Sequence, residues 1–179
     1  MEKTSIKLGK RIIHMDSKPY LIAEIGVNHE GSIEIAKKLV DLAKEGGADA
    51  VKFQTYKASK LASKSSPSYW DTTKESTTSQ FELFSKYDSF GPKEYEQLYL
   101  HCKETEIEFL STPFDHNSVD LLDNLVEFYK ISSSDITNIP LLKYISRKNK
   151  PIILSTGASN QKEIDFAIQT IESSNPVDI

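Results

Sequence analysis

This sequence lacks a pair of cysteines, an excess of positive charge and any long apolar run. The one cysteine, Cys102, cannot form an internal disulfide, which is typical of a reducing compartment. With 22 lysines and arginines against 26 aspartates and glutamates, the net charge is −4, and no cationic field attracts nucleic acid or anionic membranes. No stretch approaches the roughly 18 apolar residues of a membrane span, and residues 1–13 lack the apolar run of a secretory signal. We therefore expect a cytoplasmic protein with neither a nucleic-acid nor a membrane partner.

Short apolar segments alternate with amphipathic ones along most of the chain. The 179 residues, 38% hydrophobic and 27% charged, suit one globular domain. The predicted strands are residues 10–13, 20–25, 50–55, 108–112, 128–131 and 151–155. Predicted helices follow the last five strands, within residues 33–45, 92–105, 118–125, 141–146 and 161–172. The short connections from helix to strand indicate parallel βα units.

The connection after residues 50–55 is much longer than the others. Residues 56–90 are rich in Ser, Thr and Lys and contain Tyr69 and Trp70. A long segment at the carboxyl end of a strand in such a fold is more often a wall or lid of an active site than an idle loop. Tyr69 and Trp70 either line that site or anchor the segment, and the sequence leaves both roles open.

The placement of polar residues distinguishes the two folds that parallel βα units can form. An open doubly wound sheet usually has a glycine-rich phosphate loop after its first strand, but the sequence after Ile25 is GVNHEG, which is neither GxGxxG nor a Walker loop. A closed barrel spreads its chemistry over the carboxyl ends of many strands, as this sequence does. We predict an α/β fold in which residues 1–179 form the N-terminal part of a (β/α)8 TIM barrel, with roughly five βα units after a short β-hairpin.

Glu24, Lys52 and Lys130 are charged residues in the interior of predicted apolar strands. Burial of an unpaired charge costs several kcal/mol, so we expect each of these side chains to be buried and either paired or functional. For the lysines, the structural alternative to a binding role is a buried ion pair with Glu24 or Asp135.

Hydroxyl residues accompany these lysines near the strand ends: Thr112, Ser133 and Ser155. Each could instead be a helix N-cap. Together with ammonium and backbone N–H groups, however, they match the several acceptor oxygens of a phosphate dianion. The predicted phosphate site is based on lysine, because neither Arg11 nor Arg147 lies at the carboxyl end of a strand.

The four histidines, at positions 14, 29, 101 and 116, show none of the spacings of a metal site. We therefore predict no complete metal site within this chain. Cys102 is interpreted as a small core residue rather than a nucleophile.

Five motifs occur in order along the chain: AEIGVNHEG (23–31), VKFQTY (51–56), FLSTPFD (109–115), YKISSSDITNIPLL (129–142) and PIILSTGAS (151–159). Together they resemble the barrel of the sialic acid synthases, the bacterial N-acetylneuraminate synthase family, which includes synthases for legionaminic, pseudaminic and spore-coat sugars. The resemblance implies condensation of phosphoenolpyruvate with an N-acetylmannosamine-type sugar, giving a nine-carbon 2-keto acid and phosphate.

The resemblance also implies a role for each matching residue. Glu24 and Asp135 would be catalytic carboxylates that orient the sugar and move protons, and Gln54 would contact the sugar. Many members with neuraminate activity carry Glu where this chain has Asp135, so the acceptor sugar is left open. The implied phosphoenolpyruvate ligands are Lys52, Thr112, Lys130, Ser133 and Ser155.

A divalent metal, Mn²⁺ or Mg²⁺, is implied as well, held by two histidines later in the barrel and thus outside this chain. The family resemblance further implies a homodimer in which a small C-terminal antifreeze-like domain gives the partner subunit an arginine. Residues 175–179 fall where the sixth strand of the barrel, counted from residues 20–25, is expected to begin. We therefore expect residues 1–179 alone to be inactive and to associate through open sheet edges.

Two other functions remain open at this point. In a class I keto-acid aldolase, Lys52 or Lys130 would form a Schiff base with its substrate. Alternatively, the chain is a partial, non-catalytic barrel whose sheet edges are covered by another chain.

Overall fold

The computed structural model describes residues 5–157 and 159–179. Residues 1–4, which begin the segment predicted to lack a signal, and Ala158 of the PIILSTGAS motif lie outside this description. The described chain opens with an antiparallel hairpin of β1 (Ile6–Leu8) and β2 (Arg11–Ile13). The predicted hairpin is therefore confirmed.

Five βα units follow the hairpin, as the alternation of apolar and amphipathic segments predicts. They comprise β3 (Ile22–Gly26), α1 (Ile33–Glu45), β4 (Ala50–Thr55), α2 (Ala58–Leu61), α3 (Gln80–Tyr87), α4 (Pro92–Glu104), β5 (Glu108–Pro113), α5 (His116–Leu122), β6 (Tyr129–Ile131), α6 (Ile139–Ser146), β7 (Ile152–Leu154) and α7 (Gln161–Ser174). Helices α5 and α6 each begin two residues before the predicted start. The reason is local, because Asp115 and Asn138 are their N-caps and accept hydrogen bonds from the first helical turn.

The strands of these units are parallel. Strand β4 lies between β3 and β5 in a three-stranded sheet. Strands β6 and β7 form a two-stranded sheet, and β5 packs beside β6. The Ile152 N–H donates to the Asp178 carbonyl at 2.8 Å, so residues near 178 lie along β7. The fold is thus a parallel α/β arrangement, while closure into an eight-stranded barrel remains a prediction.

The helices cover one face of the strands and form the core with it. Alternate residues of the central strands, among them Val51, Phe53 and Phe109, are buried on this face. Cys102 of α4 is also buried there, and burial raises the pKa of its thiol to about 12, so its interpretation as a core residue is confirmed. Burial of each large apolar side chain contributes about 1.5–3 kcal/mol. This packing fixes the strands and, with them, the side chains on the opposite face.

Within the described residues, none of the helices has the length and apolar character needed to cross a bilayer.

Candidate active site on the polar face of the strands

The strand face away from the packed helices carries most of the predicted site residues. Glu24 and Lys52 are ladder partners on β3 and β4, and Gln54 and Thr112 are ladder partners on β4 and β5. Side chains alternate along a strand, so Lys52 and Gln54 share one face while their neighbours Val51 and Phe53 enter the core. The pattern of strands thus brings residues that are distant in sequence onto one surface.

Lys52 is the centre of this cluster. Its side chain is only 10% exposed, its ammonium forms an ion pair with Glu24, and Nζ donates a hydrogen bond to Thr112 Oγ1 at 3.3 Å. The structural alternative of an ion pair between Lys52 and Glu24 is therefore observed. The Glu24 side chain itself is 52% exposed, so the expectation that it is buried was wrong. The reason is the strand order, because β3 pairs only with β4 among the described strands and leaves Glu24 at an edge.

Lys130 on β6 is half-buried and close enough to Lys52 for the two charges to interact. Burial lowers the pKa of Lys130, the positive charge of Lys52 lowers it further, and Glu24 and Asp135 oppose both effects. Two ammonium groups that repel each other on one half-buried surface favour an anionic ligand between them.

Asp135 lies in a short 3₁₀ turn, Ser133–Asp135, directly after β6. Its carboxylate accepts a hydrogen bond from Asn138 Nδ2 at 3.0 Å. Burial nevertheless raises the pKa of Asp135 above its ordinary value, and hydrogen bonds from Asn138 and Ser134 and the charge of Lys130 only partly offset this effect. A carboxyl group with a raised pKa is suited to accept and return a proton.

Gly26 lies close to two of the predicted sugar-contacting groups. A Cβ atom at this position would lie 3.3 Å from Glu24 Oε1 and 3.6 Å from Gln54 Nε2. Gly26 also has a positive φ of 58° and follows a register shift in the β3–β4 ladder, a conformation that glycine adopts without strain. Glu24 and Gln54 therefore converge beside Gly26, where a larger residue would crowd the Glu24 carboxylate.

The loops after β6 and β7 hold the two predicted serine ligands. Ser133 Oγ lies 3.5 Å from the place where a Cβ atom of Gly157 would be, so the two loops meet. The Ser155 N–H donates to the Ile131 carbonyl at 3.1 Å. No hydrogen bond joins the hydroxyl of Ser133 or Ser155 to Lys52 or Lys130, although all four side chains belong to the described chain.

The alternative role of Thr112, Ser133 and Ser155 as helix caps was wrong. The N-caps of the nearby helices and of the 3₁₀ turn are Asp115, Ser132, Asn138 and Asn160. The hydroxyls of Thr112, Ser133 and Ser155 are thus not occupied by capping.

His29 is a residue whose structural role the sequence analysis missed. It lies in the GVNHEG loop after β3 and is only 2% exposed. Its ring stacks on Phe90 with centroids 4.1 Å apart, its Nδ1 accepts from the Gly31 N–H at 3.1 Å, and burial lowers its pKa. The sequence gives little signal for this role, because Phe90 is distant along the chain.

Residues 56–90, here called the insertion, are closed at the base by hydrogen bonds. Lys57 Nζ donates to the carbonyls of Asp88 and Phe90, and Asp88 Oδ2 accepts from the Ala58 N–H at 2.9 Å. Inside the insertion, Trp70 Nε1 donates to the Thr77 carbonyl at 3.2 Å, whereas Tyr69 is exposed. Trp70 is therefore an anchor of the insertion.

The described residues do not provide a metal site. No group of three or more His, Cys, Asp or Glu side chains within residues 5–157 and 159–179 is arranged to hold an ion. A cavity of about 670 Å³ is lined by Lys7, Arg11, Tyr20 and Glu108, among others, at the amino ends of the strands. It includes none of the predicted site residues and lies at the opposite end of the strands from the loops of Ser133 and Ser155.

Comparison with known proteins relates this chain to one family of synthases. The profile described as the NeuB family matches residues 39–179. The N,N'-diacetyllegionaminic acid synthase of Campylobacter jejuni is 46% identical over 158 residues, which cover 86% of this chain and 47% of that protein. The N-acetylneuraminate-9-phosphate synthase of Drosophila melanogaster is 37% identical over 163 residues, covering 89% of this chain and 43% of that protein. The chain thus spans about half the length of these curated relatives.

Solved structures agree with this result. The N-acetylneuraminic acid synthetase of Leptospira borgpetersenii, solved with citrate, superposes with a TM-score of 0.84 at 30% identity, covering 98% of this chain and 57% of that one. A truncated 3-deoxy-D-arabino-heptulosonate 7-phosphate synthase of Thermotoga maritima superposes with a TM-score of 0.67 at 17% identity, covering 97% and 53%. At that identity the second likeness concerns the fold alone.

Proposed function

Because the chain belongs to the NeuB family, we propose that it provides the phosphoenolpyruvate-binding half of a sialic-acid-type synthase. In the proposed reaction, C3 of phosphoenolpyruvate attacks the aldehyde carbon of an N-acetylmannosamine-type sugar. Water then adds at C2, and phosphate leaves with cleavage of the C–O bond. The products are a nine-carbon 2-keto acid and inorganic phosphate.

The observation that carries this proposal is the cluster of Lys52, Thr112 and Lys130 on the polar face. Two ammonium groups, one buried and one half-buried, are held by strands that are fixed by the core. A dianionic phosphate or carboxylate bound between them would relieve their repulsion and accept charge-assisted hydrogen bonds. Ser133 and Ser155 would add hydroxyl donors from the two adjoining loops.

Glu24, Gln54 and Asp135 are assigned to the sugar. Glu24 and Gln54 lie side by side next to Gly26, where they can accept from and donate to sugar hydroxyls. Asp135, whose pKa burial raises, is the candidate for proton transfer to or from the reacting groups. Fixing both substrates on rigid strands would bring the two reacting carbons together at short range.

The divalent metal and the homodimer also belong to the proposal. When bound, Mn²⁺ or Mg²⁺ would polarise the aldehyde of the sugar. The described residues do not fit such an ion, so its ligands are assigned outside this chain and no step is derived through it. The inactivity and association of residues 1–179 alone likewise remain predictions.

Labelled phosphoenolpyruvate provides the test. The complete gene product is incubated with N-acetylmannosamine and with phosphoenolpyruvate that carries ¹⁸O at the bridging oxygen. Cleavage of the C–O bond transfers the label to phosphate, where ³¹P NMR detects it. Unlabelled phosphate, or release that does not depend on an N-acetylated sugar, would contradict the proposal.

The lowered pKa of Lys130 also favours a second candidate, the Schiff-base aldolase. A lysine that loses its proton more readily is a better nucleophile toward a keto acid. Borohydride in the presence of pyruvate would then attach the keto acid covalently to Lys130, which peptide mass spectrometry detects. The synthase proposal predicts no such adduct.

A further inference from the structure

Asn138 contacts two different elements through one side-chain amide. It is the N-cap of α6, where its Oδ1 accepts from the Leu141 N–H at 3.4 Å. Its Nδ2 donates to Asp135 Oδ1 at 3.0 Å. A backbone N–H can only donate, so the cap fixes the orientation of the amide and leaves the NH₂ group for the carboxylate. Capping and contact with Asp135 are therefore compatible only in this orientation.

The backbone holds the same two residues in one turn. The Asn138 N–H donates to the Asp135 carbonyl at 2.9 Å, and the Leu142 N–H donates to the Asn138 carbonyl at 3.0 Å. Helix α6 is itself anchored, because Leu141, Leu142 and Ile145 are buried in the core. Asn138 thus connects a half-buried carboxylate to a helix with little freedom to move.

Three groups favour the charged form of Asp135 against burial, which raises its pKa. In order of strength they are the hydrogen bond from Asn138, that from Ser134 and the charge of Lys130. Ser134 is exposed and lies on the 3₁₀ turn itself, and Lys130 comes from β6. Of the three, only Asn138 donates from a side chain that also caps a helix anchored in the core.

We propose that Asn138 is a positioning residue, which uses its capped and therefore oriented amide to hold the Asp135 carboxylate toward the polar face that carries Lys130. The inference rests on the proposed function, since it gives Asp135 a substrate to orient. It predicts that loss of the amide donor impairs the reaction even when the helix cap is kept.

Two substitutions separate the roles of the amide in the complete gene product. Asn138→Ser keeps a capping oxygen but has no donor that can reach Asp135, and Asn138→Asp keeps the cap and the shape but replaces the donor by a charged oxygen. Asn160→Ser is the matched control. Asn160 caps α7 through Oδ1, which accepts from the Glu163 N–H at 3.1 Å, and is exposed outside the cluster.

The expected kinetic result is a loss confined to turnover. Asn138→Ser and Asn138→Asp should lower kcat by about tenfold or more, as expected for loss of a hydrogen bond to a charged group, while KM for phosphoenolpyruvate stays within about twofold. The acid limb of the kcat profile should move to higher pH, because the carboxylate loses a donor. Asn160→Ser should keep the parent kcat and pH profile. An equal loss of kcat in Asn160→Ser, or none in the two Asn138 variants, would overturn the proposal.

A measurement without substrate keeps this inference distinct from the proposed function. The urea midpoint of the parent is recorded against pH, and the pH window in which Asp135 titrates should lie higher in Asn138→Ser than in the parent. If the parent shows no synthase activity, the proposed function fails. The shift of the pH window then tests by itself whether the Asn138 amide stabilises the Asp135 carboxylate. An identical window in parent and Asn138→Ser would overturn the positioning role.

Discussion

Glu24 and Lys52 are direct partners across the β3–β4 ladder, and their charged groups form an ion pair in which only one partner is shielded from water. The Lys52 side chain is 10% exposed and the Glu24 side chain 52%. The carboxylate therefore balances a buried ammonium while keeping a surface open to a ligand. In the proposed reaction this arrangement lets Glu24 meet the sugar and Lys52 meet the phosphoenolpyruvate.

Replacement of Glu24 by glutamine tests the catalytic half of this arrangement. Glu24→Gln keeps the shape of the side chain, and its amide oxygen can still accept from Lys52, but the charge is lost. We expect turnover by the complete gene product to fall by roughly 10² or more with an unchanged circular dichroism spectrum. Glu96→Gln, an exposed position on α4, is the control. Activity close to that of the parent would show that Glu24 is structural.

Lys130 is expected to bind phosphoenolpyruvate through its ammonium group. Lys130→Ala removes one of two charges that face the dianion, so affinity should fall by about tenfold or more, equivalent to about 1.4 kcal/mol. Titration calorimetry with phosphoenolpyruvate alone measures this loss without the sugar. Lys143→Ala, on the exposed side of α6, should bind as the parent does. An unchanged affinity of Lys130→Ala would remove Lys130 from the site.

Asp135 should give the protein a recognisable pH dependence of stability. Between the ordinary aspartate value of 3.8 and its raised folded-state pKa, the folded protein binds more protons at Asp135 than the unfolded chain does. This residue therefore makes the free energy of unfolding fall as pH rises through that window. Asp135→Asn should abolish that fall and so gain stability relative to the parent toward neutral pH.

Urea midpoints recorded from acidic to neutral pH measure the effect of Asp135. Asp165→Asn, at an exposed position on α7, is the matched loss of one carboxylate outside the site. The same slope in Asp135→Asn and the parent would contradict the assignment of a raised pKa to Asp135.

The base of the insertion should control its accessibility to proteases. Asp88→Ala removes the acceptor of the Ala58 N–H, so the insertion should open more often and trypsin should cut faster at exposed lysines such as Lys60 and Lys64. Asp71→Ala removes only two local hydrogen bonds from Thr73 and serves as the control. If both variants are cut at the parent rate, the base does not close the insertion.

Local patterns in the sequence predict the βα units, because apolar periodicity reports which face of each segment is buried. They also predict which residue types stand near the strand ends, such as Lys52 and Thr112. Exposure of Glu24 was not predicted, because the apolar residues around it indicated burial although its strand was expected at an open edge of the sheet. The stacking of His29 on Phe90 was also out of reach, because it joins two loops that are distant in sequence.

The early starts of α5 and α6 show a smaller limit of the same kind. Apolar spacing locates the buried turns of a helix but not its first polar turn, which here is set by Asp115 and Asn138. In the sequence, Asn138 stands out only as part of the motif of residues 129–142. Its contact with Asp135 depends on how the folded turn orients both side chains, which the motif does not specify.

The closed base of the insertion has a consequence for how this protein can vary. Lys57 and Asp88 bring the two ends of the segment together independently of what lies between them. The entropic cost of closing a loop, expressed as a free energy, rises by only about 0.6 kcal/mol for each doubling of loop length. Insertions and deletions between these residues therefore leave the parallel strands almost as stable as before. The insertion is therefore the part of this fold that can be replaced, in evolution or by design, without changes to the parallel strands.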